Sequence, residues 1–284
     1  MTAGQIAARA LPPLVPVLLF LALWQGLVWV FALPPFILPG PGLVAEALWE
    51  RRALLADNAA VTALEVVAGL MLGAVLGAAT ALQLMISPAA RRVLVPLLVF
   101  NQAVPIFALA PVLTLWMGYG LAPKIAITVL IVYFPVTWTF FDGLRRTDPG
   151  LLDLARMMGA SEMRTLWLIR VPAALPALGS GLKLSAIYAP VGAVFGEWVG
   201  ASQGLGYLML RANGRGQIDD MFAAILILAL FAVTLHALVS ALARHLELWA
   251  TGKRTGWHGL RHASRERDRA RSARRSAASP GMRR

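Results

Sequence analysis

The chain has no cysteine in 284 residues, which excludes disulfides, thiolate metal sites and cysteine nucleophiles. Charge is also scarce, with Asp, Glu, Lys and Arg together making up 14%. The signatures of chemistry are missing as well. No G-x-x-x-x-G-K-[ST] occurs; the only Gly-Lys pair, Gly252-Lys253, lacks the upstream glycine and is followed by Arg254. Neither H-E-x-x-H nor G-x-S-x-G is present. Of the four histidines, His245, His258 and His262 lie in or beside the C-terminal tail, and His236 stands alone in an apolar run. The expectation is a chain that catalyses nothing, holds no metal or cofactor, and takes any energy it uses from a partner.

What is abundant is apolar surface. The composition is 58% hydrophobic, with a mean hydropathy of +0.69, more than one soluble core of this size requires. Apolar runs of about twenty residues recur, which predicts a polytopic helical membrane protein. Six spans are expected, at 14–33, 58–86, 94–117, 125–141, 178–199 and 221–242. The first is too long for a secretory signal and no A-x-A site follows it. Residues 34–57 open on a Pro/Gly cluster and continue as an amphipathic interfacial helix. Residues 1–13 precede the 14–250 membrane domain, and 251–284 read as a basic disordered tail.

The net charge of +12 is a local property. From Arg244 onward there are twelve Lys/Arg and three acids, so nine of the twelve excess charges sit at the C-terminal end. In a membrane chain this is a positive-inside tail able to touch anionic lipid, not a nucleic-acid footprint. With both termini inside, the inner side holds Arg9, Arg91, Arg92, Arg145, Arg146, Arg156, Arg164 and Arg170 besides the tail. The outer side holds Arg51, Arg52, Lys124, Arg211 and Arg215, with Lys183 inside a span. Both termini and the 142–176 loop are therefore expected in the cytoplasm of a bacterial cell, beneath its inner membrane.

Two glycine stripes, Gly69/Gly73/Gly77 and Gly192/Gly196/Gly200, predict close helix approach. Glu65 lies one turn before Gly69 on the same face, and Glu197 lies beside the second stripe. An ionisable side chain in a span faces a cavity or a partner, so each glutamate either borders a solute pathway or bonds a neighbouring helix. The third span carries Pro96, Pro105 and Pro111 around Asn101-Gln102. It is either a broken, pathway-lining span with Gln102 and Pro105 at its centre or a kinked structural helix.

The most informative stretch is the polar interruption 142–176. Asp148 can cap a helix beginning at Pro149. Leu151, Leu154, Ala155 and Met158 then mark one apolar face. Gly159 can end that helix in a left-handed turn, and Ser161 can cap a second short helix that stops near Pro172. Three acids, Asp148, Asp153 and Glu162, nearly balance the five arginines of the loop. A lipid-surface helix would be more one-sidedly basic, so the greasy face is expected to dock on a protein.

This stretch resembles the "EAA" coupling loop of permease subunits in binding-protein-dependent ABC importers, which runs E-A-A, three residues, Gly, nine residues, I-x-L-P. Asp153, Leu154 and Ala155 stand at E-A-A, Gly159 (followed by Ala160) at the glycine, Ile169 at the isoleucine, and Val171-Pro172 at L-P. Asp for Glu, Leu for Ala and Val for Leu are the departures. The resemblance extends over 61–249. It implies an all-α, six-span type I importer permease fold. It also implies partners: a pair of ABC ATPase subunits on the coupling loops, an extracytoplasmic solute-binding protein, and a second copy of the chain.

A narrower resemblance lies in residues 101–125, where Gln102, Pro105, Pro111, Trp116 and Gly118 are similar to the nitrate/sulfonate/taurine-type permeases. Residues 191–209 look more like permeases for thiamine-precursor pyrimidines. Three rival readings explain less. A secondary transporter would show an inverted repeat, a lipid-acting enzyme would cluster polar catalytic residues, and a scaffold that merely recruits an ATPase would show no solute-stimulated ATPase activity in a reconstituted complex.

Overall fold

The computed structural model describes residues 3–252, and their side chains from 15 to 248. The tail expected from 251 lies outside the described residues except for 251 and 252, which close the last helix. Eleven α-helices are described: α1 (Ala3–Val30), α2 (Pro41–Glu50), α3 (Arg52–Ile86), α4 (Pro88–Ala103), α5 (Ile106–Met117), α6 (Leu121–Arg145), α7 (Pro149–Met157), α8 (Glu162–Thr165), α9 (Val171–Trp198), α10 (Leu205–Gly214) and α11 (Ile218–Gly252). Among the described residues, four stretches are long and apolar enough to cross a membrane: α3, α6, α8 through α9, and α11. The α4–α5 pair makes a fifth, and the apolar part of α1, Val15–Val30, takes the place of the sixth.

The third span is broken. α4 and α5 meet at 105°, with Val104 extended and Pro105 opening the second helix. Pro105 has no N–H to continue α4, and its ring disfavours a helical conformation at Val104. Asn101 ties the elbow to α6 by donating from Nδ2 to the Leu130 carbonyl at 3.1 Å. Gln102 and Pro105 are exposed at the bend.

Pro172 does not stop the second loop helix, contrary to the sequence expectation. α8 passes through a π turn, Leu166–Arg170, directly into α9. The widened turn accommodates a proline that cannot bond back to the preceding turn. The result is one rod of 37 residues, Glu162–Trp198, about 55 Å long at 1.5 Å per residue. The stretch left between the spans expected at 178–199 and 221–242 is largely helical: α10 buries Leu205, Leu208, Met209 and Ala212, an i, i+3, i+4, i+7 face.

α6 is the centre of the bundle, held between α3 and α9. A Cβ at Gly69, Gly73 or Gly77 of α3 would lie 2.5–3.0 Å from Thr128, Val132 or Val136 of α6. On the other flank, a Cβ at Gly192 would lie 2.9 Å from Thr128 Cα, and one at Gly196 2.8 Å from Lys124 Cα. Gly200 does not continue this stripe, because α9 ends at Trp198; Gly181, against Thr139, extends it the other way. In lipid, such backbone-level packing supplies the association that hydrophobic burial gives in water. Gly192→Val is expected to lower the thermal unfolding midpoint in detergent, at an overpacking cost of about 1–3 kcal/mol or more, since the obstructing atom is backbone.

Two cations of the sequence reading have acidic partners on other helices. Lys124 is not an exposed end charge but sits in the first turn of α6, buried, 2.9 Å from Glu65 Oε1. Lys183 pairs with Glu247 of α11 at 2.9 Å.

Candidate functional site

Two features stand at opposite ends of the α3–α6–α9 core, a greasy knob and a buried polar cluster. The knob is α7 with the start of the rod. Asp148 Oδ1 accepts from the Gly150 amide at 2.8 Å, capping α7, and Pro149 takes the first helical position. At the other end, the Gly159 amide donates to Arg156 O and the Ala160 amide to Ala155 O, at 2.9 and 3.0 Å. This paired closure requires a left-handed residue, and Gly159 has φ +71°. Ser161 Oγ then accepts from the Arg164 amide, opening the rod.

The stubs of this motif are buried while its tips are bare. Ala155, Thr165 and Leu166 are buried, and Leu166 joins a core with Leu84, Leu98, Phe141 and Leu144. Arg170 Nη1 donates to Leu144 O at 3.1 Å, fastening the rod to the end of α6. Outward point Leu154, Met157, Met158 and Met163, with Met157 87% exposed. Asp153 is exposed and pairs with Arg156 at 3.1 Å, a surface pair that contributes little stability. Ala160, Ile169 and Pro172 are half-buried. Methionine side chains adapt to the shape of what they meet, and three of them, Met157, Met158 and Met163, are exposed around the α7–α8 turn.

The polar cluster draws on three spans. Asn58, Thr62 and Glu65 recur at i, i+4 and i+7 on α3. Glu197 stands near the end of α9 and Lys124 at the start of α6. Thr62 Oγ1 donates to Glu197 Oε1 at 2.5 Å and accepts from the Leu205 amide at 2.8 Å. The Gly204 amide donates to Asn58 Oδ1 at 2.8 Å, and the Gly206 amide to Glu197 Oε2. Glu65 and Glu197 are both fully buried. The structure gives each glutamate partners on other elements, Lys124 for Glu65 and both Thr62 and the Gly206 amide for Glu197. Lys124, Thr62 and Asn58 were not singled out from sequence, although the polar face on α3 was visible in the spacing. Among the described residues no group of His, Asp or Glu could hold a metal ion.

The chain as a whole has matches among known proteins. Residues 69–251 fit the family model described as "Binding-protein-dependent transport system inner membrane component". The chain belongs to this family. It is a permease of the ABC importer class. A Haemophilus influenzae protein named "Probable ABC transporter permease protein" is 47% identical over 85% of this chain and 98% of its own. The formylaminopyrimidine transport permease ThiX of Halalkalibacterium halodurans is 33% identical over 85% of this permease and 96% of that protein. The taurine transport system permease TauC of Escherichia coli is 26% identical over 84% and 86%. The fold is also that of a chain in the inward-facing MetNI methionine ABC transporter, with a TM-score of 0.54 at 20% identity, covering 73% of this permease and 98% of that chain.

Proposed function

We propose that this permease forms the solute pathway of an ATP-driven importer as a homodimer, with the 148–172 segment seated on a separate ATPase subunit. The supporting observation is the α7 knob: an apolar, methionine-tipped helix, rigidly capped at both ends and fastened to α6 and the rod. A helix so braced transmits a push instead of absorbing it. ATP binding in the partner moves the knob, and the spans follow as a two-state element. The chain itself hydrolyses nothing. It lies in a bacterial inner membrane with both termini and the knob in the cytoplasm, and an extracytoplasmic binding protein delivers solute to the far end. The exposed elbow at Gln102 and Pro105 borders the pathway.

The solute is a small organic molecule of the thiamine-precursor pyrimidine type, in keeping with the permease named for formylaminopyrimidine at 33% identity. Taurine and other sulfonates are the alternative, in keeping with TauC. Competition of each compound class for ATP-dependent uptake decides between them. The coupling role is tested with Met157→Asp/Met158→Asp. Both side chains are exposed, so stability should change by less than about 0.5 kcal/mol. Co-purification of the ATPase is expected to fall at least about tenfold, as desolvating two carboxylates opposes docking. Undiminished ATPase binding in that variant would reject the reading.

A further inference from the structure

The first amides of a helix have no partner within it. In α10 three consecutive ones, from Gly204, Leu205 and Gly206, are all given to side chains of other helices: Asn58 and Thr62 of α3, and Glu197 of α9. Glu197 also receives the Thr62 hydroxyl. Its carboxylate sits where the helix dipole favours negative charge. The fit leaves no slack. Gly204 has φ +117°, and a Cβ there would lie 2.2 Å from Glu197 Cδ. All three acceptor residues are buried.

These bonds join two differently packed parts of the molecule. Asn58, Thr62 and Glu197 belong to helices clamped on α6. The body of α10 packs chiefly on other helices, with Leu205, Leu208 and Met209 set against Trp24, Val44, Ala47, Ala223 and Ala224, although Leu55 of α3 belongs to the same cluster. Beside the junction lies a polar hollow lined by Asp57, Ser202, Gln203, Tyr207 and Arg211, and Asn58 forms part of its wall. Water in that hollow is within reach of the α10 amides once they are released, so the bonds can break without orphaning their donors.

We propose that Asn58, Thr62 and Glu197 are positioning residues for transport: they latch α10 to the far end of the core, and tilting of the core releases the latch. The proposal rests on the coupling reading for the source of the tilt. Glu197 is the penultimate residue of the same 37-residue rod whose other end forms part of the knob. Because donors and acceptors lie on different helices, a relative displacement of about 1 Å carries all three bonds past hydrogen-bonding range together. The latch is therefore shut or open, with little between.

The absence of cysteine makes the test clean. Leu205→Cys, at a position buried under the latch, is introduced as the only thiol, with Met209→Cys as a second reporter. Labelling by a membrane-impermeant maleimide is followed in right-side-out vesicles carrying the complete transporter. Thr62→Val, which keeps shape but removes the hydroxyl, is expected to speed labelling about tenfold or more, and Thr62→Ser to restore the slow rate. A thiol at Ala189→Cys, fully buried in the core, should stay protected in every background. Equal rates in Thr62→Val and Thr62→Ser, or loss of protection at Ala189→Cys, would overturn the latch. ATP is expected to accelerate labelling of Leu205→Cys in the otherwise native chain. A Thr62→Val response without an ATP response supports the latch and removes the coupling reading instead.

Discussion

Gly159→Val is expected to reduce ATP-driven uptake at least about tenfold while the chain still reaches the membrane, because a strained backbone of this kind costs about 1–3 kcal/mol. The cause is conformational, not steric. Nothing lies within 4 Å of the Cβ that valine would add, but φ is +71°, a region β-branched residues avoid. To relieve the strain, the chain must give up the paired closure at Arg156 and Ala155, and with it the angle between α7 and the rod. Met157 and Met158 then no longer face the partner together. Gly159→Asn is the control, since asparagine tolerates the left-handed conformation. Uptake and ATPase co-purification measured together check the prediction; full uptake in Gly159→Val would count against the knob's role.

The second large effect is on stability. Lys124→Met keeps much of the side-chain volume but strips Glu65 of its ammonium partner, 2.9 Å away and fully buried. Breaking a buried ion pair on one side typically costs about 3–5 kcal/mol, because the surviving charge has no compensation. Glu65 Oε2 already lacks a hydrogen-bond partner among the described residues. A large drop in the thermal midpoint is expected, with much of it recovered in Glu65→Gln/Lys124→Met. The double-mutant cycle measures the pair's coupling directly. Additive losses would show that Lys124 acts through packing on Gly196 alone.

The parts of this molecule legible in its sequence are those set by local chemistry. Asp148 and Ser161 announce their caps, Gly159 its left-handed turn, and the glycine spacing on α3 its contact with α6. What escaped was decided at a distance. Lys124 follows a Gly-rich turn and a proline, as an end-of-span charge does; only the fold shows Glu65 reaching it from α3. Gly204 and Gly206 look like loop residues because local propensity favours that, yet here they make room for the Glu197 carboxylate. The apolar face of α10 was readable from Leu205, Leu208, Met209 and Ala212, but two glycines at its start masked it. Pro172 illustrates the opposite case: a strong local stop signal that a widened π turn overrides.

The seating of Thr128, Val132 and Val136 in the glycine notches of α3, with Gly192 and Gly196 pressed on the opposite flank of α6, restricts how this permease can deform. Ridges meshed in this way resist sliding along one another, like teeth in a rack, so α3, α6 and α9 travel as one solid piece. On the proposed coupling role, a stroke entering at one end of that piece would reappear at its perimeter. The perimeter has an obvious joint, the corner at Val104 and Pro105, which Asn101 ties to α6 by a side-chain bond.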